Sequence, residues 1–272
     1  MKNKRSFTHF FIYLFLILIS FISIFPFFWM IVGATNKSVD ILKGKLFFGT
    51  ALIENLKNLF ANYSVGNILI NSFKISLITV VGSVLISSLA AYGFEFYPAR
   101  SRERIYSFFL GTMMIPFAAL MVPLFRLMNS FQLLDSHWGV ILPMIPSVFL
   151  IFFFRQNFKS YPKEIIMAAR VDGASEFKIF FSIVFPSMIS TYAAAAIYAF
   201  MTSWNSYMWP LVVLQSENKK TMTLLVSTLA SGYTPDFGVI MVSVVIATLP
   251  MLIVFFSLQR YFVQGILGSV KQ

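Results

Sequence analysis

The chain has 272 residues and a formal net charge of +11, with 58% hydrophobic, 18% aromatic and only 11% charged residues. A water-soluble domain carries about 25% charged residues, so this composition excludes an ordinary soluble fold and makes lipid the solvent. The absence of cysteine excludes disulfides, thiol catalysis and thiolate metal sites. Basic residues punctuate apolar runs, which argues for membrane topology and against a nucleic-acid partner.

A membrane-crossing helix needs about 20 apolar residues. In chain order the apolar runs predict six transmembrane helices, over about 10–34, 68–94, 105–128, 138–157, 186–211 and 237–260. The expected fold is all-α, one membrane domain over 1–272. Lys2, Lys4 and Arg5 precede an apolar stretch, as in a secretory signal, but that stretch runs on through Pro26, Phe27, Phe28 and Trp29. It is longer than the 7–15 residues of a signal core, so we read it as a retained first helix. Most of the 21 basic residues, including Arg100, Arg102, Arg104, Arg155, Lys159, Lys163 and Arg170, fall on the side of the two termini. The positive-inside rule places that side, and both termini, in the cytoplasm.

Two outer loops are long. Within 35–66, Ile53, Leu56, Leu59 and Phe60 recur at helical spacing with Glu54, Lys57 and Asn58 between them, predicting an amphipathic interfacial helix. It either seals the bundle or touches substrate. The second outer loop, 215–236, is rich in Ser, Thr and Gly.

Ionisable residues inside a span are costly and usually functional. Here Lys74, Glu95 and Arg126 sit near the expected helix ends, and no Asp, Glu or His chain is available to relay protons. His9 and His137 are far apart and read as interfacial residues, not ligands, so no metal site is expected. Nothing resembles a Gly-rich phosphate cradle with its lysine. The chain is therefore not expected to be an enzyme or to bind a cofactor, and any ATP chemistry must reside in a partner. Sodium coupling at broken helices stays open at this point.

The segment 159–182 lies between the fourth and fifth expected spans. Pro162 opens a short helix, Ile165, Ala168 and Ala169 form its apolar face, and Asp172-Gly173 ends it. A second helix carries Phe177, Phe180 and Phe181 on one side, and Pro186 begins the next span.

Pro162, Glu164, Ala168, Ala169, Asp172, Gly173, Ala174, Ile183 and Pro186 stand in the register of the cytoplasmic signature loop of ABC importer permeases, which this loop resembles. Phe200-Met-Thr-Ser-Trp-Asn-Ser-Tyr-Met-Trp-Pro210 is similar to the fifth-span pattern of carbohydrate-importing members. The tail Leu258–Lys271 and the opening Pro26–Asn36 fit the same group. The likeness is strongest to the second permease of maltose-related di- and oligosaccharide importers, with a type I importer fold.

That resemblance implies a bacterial-type cell-membrane subunit in a heteromeric importer. Its partners would be a second homologous permease, two ATPase subunits carrying ATP and Mg, and an extracellular solute-binding protein that delivers sugar. The first short helix would dock on the ATPase, giving Glu164, Met167, Ala168, Ala169, Asp172, Gly173 and Ala174 a coupling role. Met167 departs from the family pattern, which has Glu there to pair with a basic residue of the ATPase. Glu164, three residues earlier on a shared helix face, is the acidic group left to do so. The outer loop 215–236 would reach toward the binding protein, and the tail from Gln264 would lie against the ATPase pair.

Trp204, Asn205, Tyr207 and Trp209 are candidates for the sugar path. Aromatic rings stack on pyranose C–H faces and an amide bonds hydroxyls. Trp and Tyr are equally at home as interfacial anchors, so both readings stand. An importer of another solute, such as a glycerol phosphate, is the nearest alternative, followed by an ion-coupled secondary transporter.

Overall fold

The structure is a computed structural model that describes residues 2–268, with side chains over 9–260. The described residues are helical, with no strand among them. The helices are α1 (Lys2–Ala34), α2 (Ser38–Leu42), α3 (Leu52–Asn62), α4 (Val65–Phe96), α5 (Arg100–Thr112), α6 (Phe117–Ser130), α7 (His137–Met144) and α8 (Val148–Lys159). They continue with α9 (Lys163–Val171), α10 (Glu176–Ile179), α11 (Phe185–Ser187), α12 (Ile189–Trp204), α13 (Met208–Val213), α14 (Met222–Ala230) and α15 (Phe237–Gly268). The chain divides into two compact units, Met1–Val65 with Leu225–Leu249, and Gly66–Leu224 with Pro250–Gln272.

Four segments are long and apolar enough to cross a membrane: His9–Ala34, Val65–Phe96, His137–Lys159 and Phe237–Arg260. Two bent pairs raise the number to six if each pair is one span. The straight helix expected over 105–128 is one of these pairs. It turns through 105° between α5 and α6. Pro116 caps α6 with φ −65° and ψ 134°, and a residue before proline is pushed out of the helical region. The expected helix over 186–211 is likewise interrupted. The chain bends by 85° between Glu176–Ser187 and Ile189–Trp204, and helix resumes only at Met208. Pro186 offers no N–H to the preceding turn, and the backbone widens into a π-turn over Phe180–Val184.

In the first unit, α1 presents its apolar surface outward from Phe10 to Phe28, as a helix solvated by acyl chains does. Its C-terminal carbonyls are capped by α3. Asn55 donates to the Ala34 and Asn36 carbonyls at 2.9 and 3.0 Å. The buried face of α3 is thus Asn55 and Leu59, while Ile53 and Phe60 are exposed. The amphipathic helix expected here is present as α3, and Asn55 on its inner face satisfies carbonyls left open at the end of α1.

In the second unit, α4 takes in Lys74 well inside its length instead of near its end. It buries Ser72, Ser76, Thr79, Ser83, Ser87 and Ser88. Small hydroxyl residues let membrane helices approach closely. A core of Tyr92, Phe96, Phe154, Phe158, Ile166, Phe180 and Tyr192 closes the end of this unit that carries 159–182.

Candidate functional site

The loop 159–182 folds as helix, turn, helix. Pro162 is the N-cap of α9, and Glu164 lies in its first turn, where a negative charge suits the helix dipole. The helix ends in a complete Schellman motif. Gly173 N–H donates to Arg170 O and Ala174 N–H to Ala169 O, both at 3.0 Å, and Gly173 takes φ +77°. Ser175 then caps α10, its hydroxyl accepting from Lys178 N.

Burial divides α9 differently from the sequence expectation. Ile166 and Ala169 face the core, whereas Ile165, Met167 and Ala168 are exposed together with Glu164, Val171, Asp172 and Gly173. Ala174 is half-buried. The outward ridge is therefore apolar with Glu164 on its flank. The expected common face of Phe177, Phe180 and Phe181 is also corrected. Phe180 is fully buried, packing edge-on to Tyr92 at 5.4 Å, while Phe177 and Phe181 are exposed. The π-turn that begins at Phe180 rotates the register of the residues that follow.

Two charge clusters hold this loop, and each draws partners from outside it. At the start of α9, Lys163 Nζ is 3.4 Å from Glu95 Oε1 on α4. Glu95, with a side chain only 9% exposed, also meets Arg155 Nε at 3.4 Å. Arg155 grips Glu103 with both terminal nitrogens, at 3.2 and 2.7 Å, and lies 4.0 Å from the Tyr106 ring. At the other end, Arg170 Nε donates to Glu176 at 2.7 Å and its guanidinium covers Tyr97 at 5.0 Å. Tyr92 Oη donates to the same carboxylate at 2.7 Å. The hydrogen bond that Arg170 donates to Glu176 raises the Arg170 pKa further, and burial raises that of Tyr97. The available signal was a carboxylate at the end of one apolar run and an arginine at the end of another. Their partnership needed the fold.

The four sugar-path candidates separate into two pairs. Trp204 is buried, stacked on Phe200 at 5.4 Å and edge-on to Phe73 at 5.1 Å. Trp209 is also buried and donates its indole N–H to Gly139 O at 3.1 Å. Both are packing residues of their unit. Asn205, which caps the end of α12, and Tyr207 are exposed.

The root of the loop 215–236 is clamped. Asp135, at φ +51°, accepts from Ser216 Oγ at 2.5 Å, from the Ser216 and Gln215 amides at 3.0 Å, and from Lys219 Nζ at 3.0 Å. Asn67 and Asn71 donate to Asn218 O at 2.7 and 2.8 Å, and a His137 ring nitrogen is 3.2 Å from Lys219 O. His9 is exposed. Among the described residues no His, Asp and Glu cluster could hold a metal. The expected tail contact lies outside the described residues from 269 onward.

The Ser216 hydrogen bonds, with that of Lys219, hold the Asp135 carboxyl well below the usual carboxylate range. A depressed folded-state pKa means the clamp's contribution is complete above the unfolded value, about 4, and fades as pH falls toward the folded value. Amide-exchange protection of 215–220 should therefore be flat from pH 8 to about 5 and drop below about 4. Asp135→Asn should show the reduced protection already at neutral pH. A wild-type profile that declines across pH 6–8 would remove Asp135 as the clamp.

Comparisons with known proteins give the family and the fold. Residues 83–268 match the family described as binding-protein-dependent transport system inner membrane component. The chain is 53% identical over 254 residues, 93% of each chain, to the lactose transport system permease protein LacG of Rhizobium radiobacter. It is 35% identical over 267 residues to the arabinooligosaccharides transport system permease protein AraQ of Bacillus subtilis, covering 95% of this chain and 94% of that one. Over 282 residues it is 30% identical to the sn-glycerol-3-phosphate transport system permease protein UgpE of Escherichia coli, covering 100% of both. The fold is also that of a chain in the crystal structure of a bacterial ABC transporter involved in the import of the acidic polysaccharide alginate. The TM-score is 0.84 at 19% identity, covering 96% of this chain and 98% of that one. The long family match, the relatives at full length and the apolar helices together make this chain a member of the binding-protein-dependent transport system inner membrane component family, a multi-pass permease of the cell membrane.

Proposed function

We propose that the chain is one of two homologous permeases of an ATP-driven sugar importer, with a disaccharide or short oligosaccharide as its cargo. The observation that carries this reading is the 53% identity, over 93% of both chains, to a lactose permease. Basic residues concentrate on the side of 159–182, which supports a cytoplasmic position for that loop and for both termini. The outward ridge Ile165, Met167, Ala168, Val171, with Asp172 and Gly173 at its end, is the surface offered to an ATPase subunit. ATP and Mg act on that partner, and a binding protein delivers sugar from outside. Asn205 and Tyr207 are the candidates that keep access to a sugar, while Trp204 and Trp209 are buried.

Purification from native membranes in mild detergent should recover a second six-span permease and an ATPase. Deleting the chain should abolish uptake of labelled lactose or a related oligosaccharide and leave sn-glycerol 3-phosphate uptake intact. Loss of glycerol phosphate uptake alone would favour the second reading, which rests on the 30% identical relative. Recovery of the chain without any ATPase would end the importer reading.

Glu164 is exposed on the first turn of α9, placed to meet a basic group on the ATPase in the absence of the family glutamate at Met167. Glu164→Ala should lower ATPase co-purification several-fold, about 1 kcal/mol, the upper range for an exposed ion pair. Undiminished recovery would assign docking to the apolar ridge alone.

A further inference from the structure

We propose that α4 is the member through which the loop 159–182 and the outer loop act on one another, with Glu95 and Asn71 as positioning residues at its two ends. The inference rests on the importer reading above and names the element that transmits its stroke.

In sequence α9 is flanked by α8 and α10, so motion would be expected to pass to those helices. In the structure both ends of α9 are tied to the last turn of α4. Lys163 reaches Glu95 at 3.4 Å, and Arg170 shares Glu176 with Tyr92 while covering Tyr97. A displacement of α9 therefore pulls on residues 92–97 at two points.

The opposite end of α4 holds the outer loop. Asn71 Nδ2 donates to the Asn218 and Lys220 carbonyls at 2.8 and 3.2 Å. Ser72 Oγ accepts from Met222 N–H at 2.7 Å. At a rise of about 1.5 Å per residue, Asn71 and Glu95 are roughly 36 Å apart along one helix.

That helix is built to carry a displacement. It runs unbroken for 32 residues and contains no proline. The other span-length segments contain Pro26, Pro143 and Pro250, and prolines are the usual sites of kinks. Over its middle, 76–88, the buried side chains are all small hydroxyls, which permit a sliding shift there, while Ile68, Ile75, Tyr92 and Phe96 pack nearer its two ends. Ser76 and Thr79 bury their hydroxyls without a hydrogen-bond partner in this arrangement. Buried polar groups are normally paired, so a second position of α4 that satisfies them accounts for their presence.

The test uses the complete importer in proteoliposomes, with sugar-loaded binding protein added outside, and reads stimulation of ATP hydrolysis over the basal rate. Glu95→Gln and Asn71→Ala should each cut stimulation about tenfold, within the range of allosteric couplings. Basal hydrolysis and co-purification should stay at wild-type levels. If both residues act through one rod, the double variant should be no worse than the poorer single. Lys163→Gln, at an exposed residue, should reproduce Glu95→Gln and replaces it if that variant fails to insert. Stimulation at the wild-type level in the singles would overturn the proposal. So would a double-variant loss equal to the product of the two single losses, because distant independent sites add in free energy. A wild-type chain that brings down no ATPase would instead overturn the importer reading itself.

Discussion

Gly173→Pro should abolish sugar uptake while the chain still inserts in the membrane. Gly173 holds φ +77° and donates its N–H to Arg170 O. Proline is locked near φ −65° and has no N–H, a mismatch costing about 3 kcal/mol or more. It also drives the preceding residue toward extended conformations, away from the bridge region where Asp172 sits at φ −71° and ψ 2°. The Schellman motif is lost, and with it the placement of Arg170 against Glu176. The damage stays local, because Gly173 is exposed and a side chain there meets nothing within 4 Å. Gly173→Ala keeps the N–H and suffers only the left-handed strain, about 1–2 kcal/mol, so partial uptake should remain. Vesicle uptake with an immunoblot of the membrane fraction separates the two effects. Uptake at the wild-type rate in the proline variant would remove this turn from the transport cycle.

Arg155→Met should destabilise the chain by about 3–5 kcal/mol, the usual cost of breaking a buried ion pair from one side. The side chain of Arg155, like that of its partner Glu95, is 9% exposed, and Arg155 joins α4, α5 and α8 through Glu95 and Glu103. Removing the guanidinium leaves Glu95 with only the more exposed Lys163. Arg155→Lys should recover part of the loss, since an ammonium lacks the fork that holds Glu103 by two nitrogens. Arg155→Met combined with Glu95→Gln should recover more, because no buried charge is then left alone. Thermal unfolding of the detergent-solubilised chain measures all three. A single Arg155→Met variant as stable as wild type would mean that the cluster is solvated.

Several features follow from local chemistry and were legible without coordinates. Long uncharged runs must satisfy their backbone internally in lipid, so they are helical. Pro162 and Asp172-Gly173 bound α9 because an absent N–H is tolerated only at a helix start and a positive φ favours glycine. Others were not legible. Periodicity grouped Ile165 with Ala168 and Ala169, yet the core selects Ile166 and Ala169. Trp204 and Trp209 have the chemistry of a sugar platform and are packed away by Phe73, Phe200 and Gly139.

Residues adjacent in the chain are therefore enough to set the solvent, the helix content, the punctuation of the 159–182 loop and the family resemblance. Packing between distant segments sets which face of α9 is outward, where the spans over 105–128 and 186–211 break, and that Glu95, Arg155, Glu103 and Lys163 form one cluster. Burial and ion pairing belong to neighbours brought together from distant segments, and a bend angle depends on how the freed backbone groups are satisfied by packing. Neither is encoded in the local spacing of residue types.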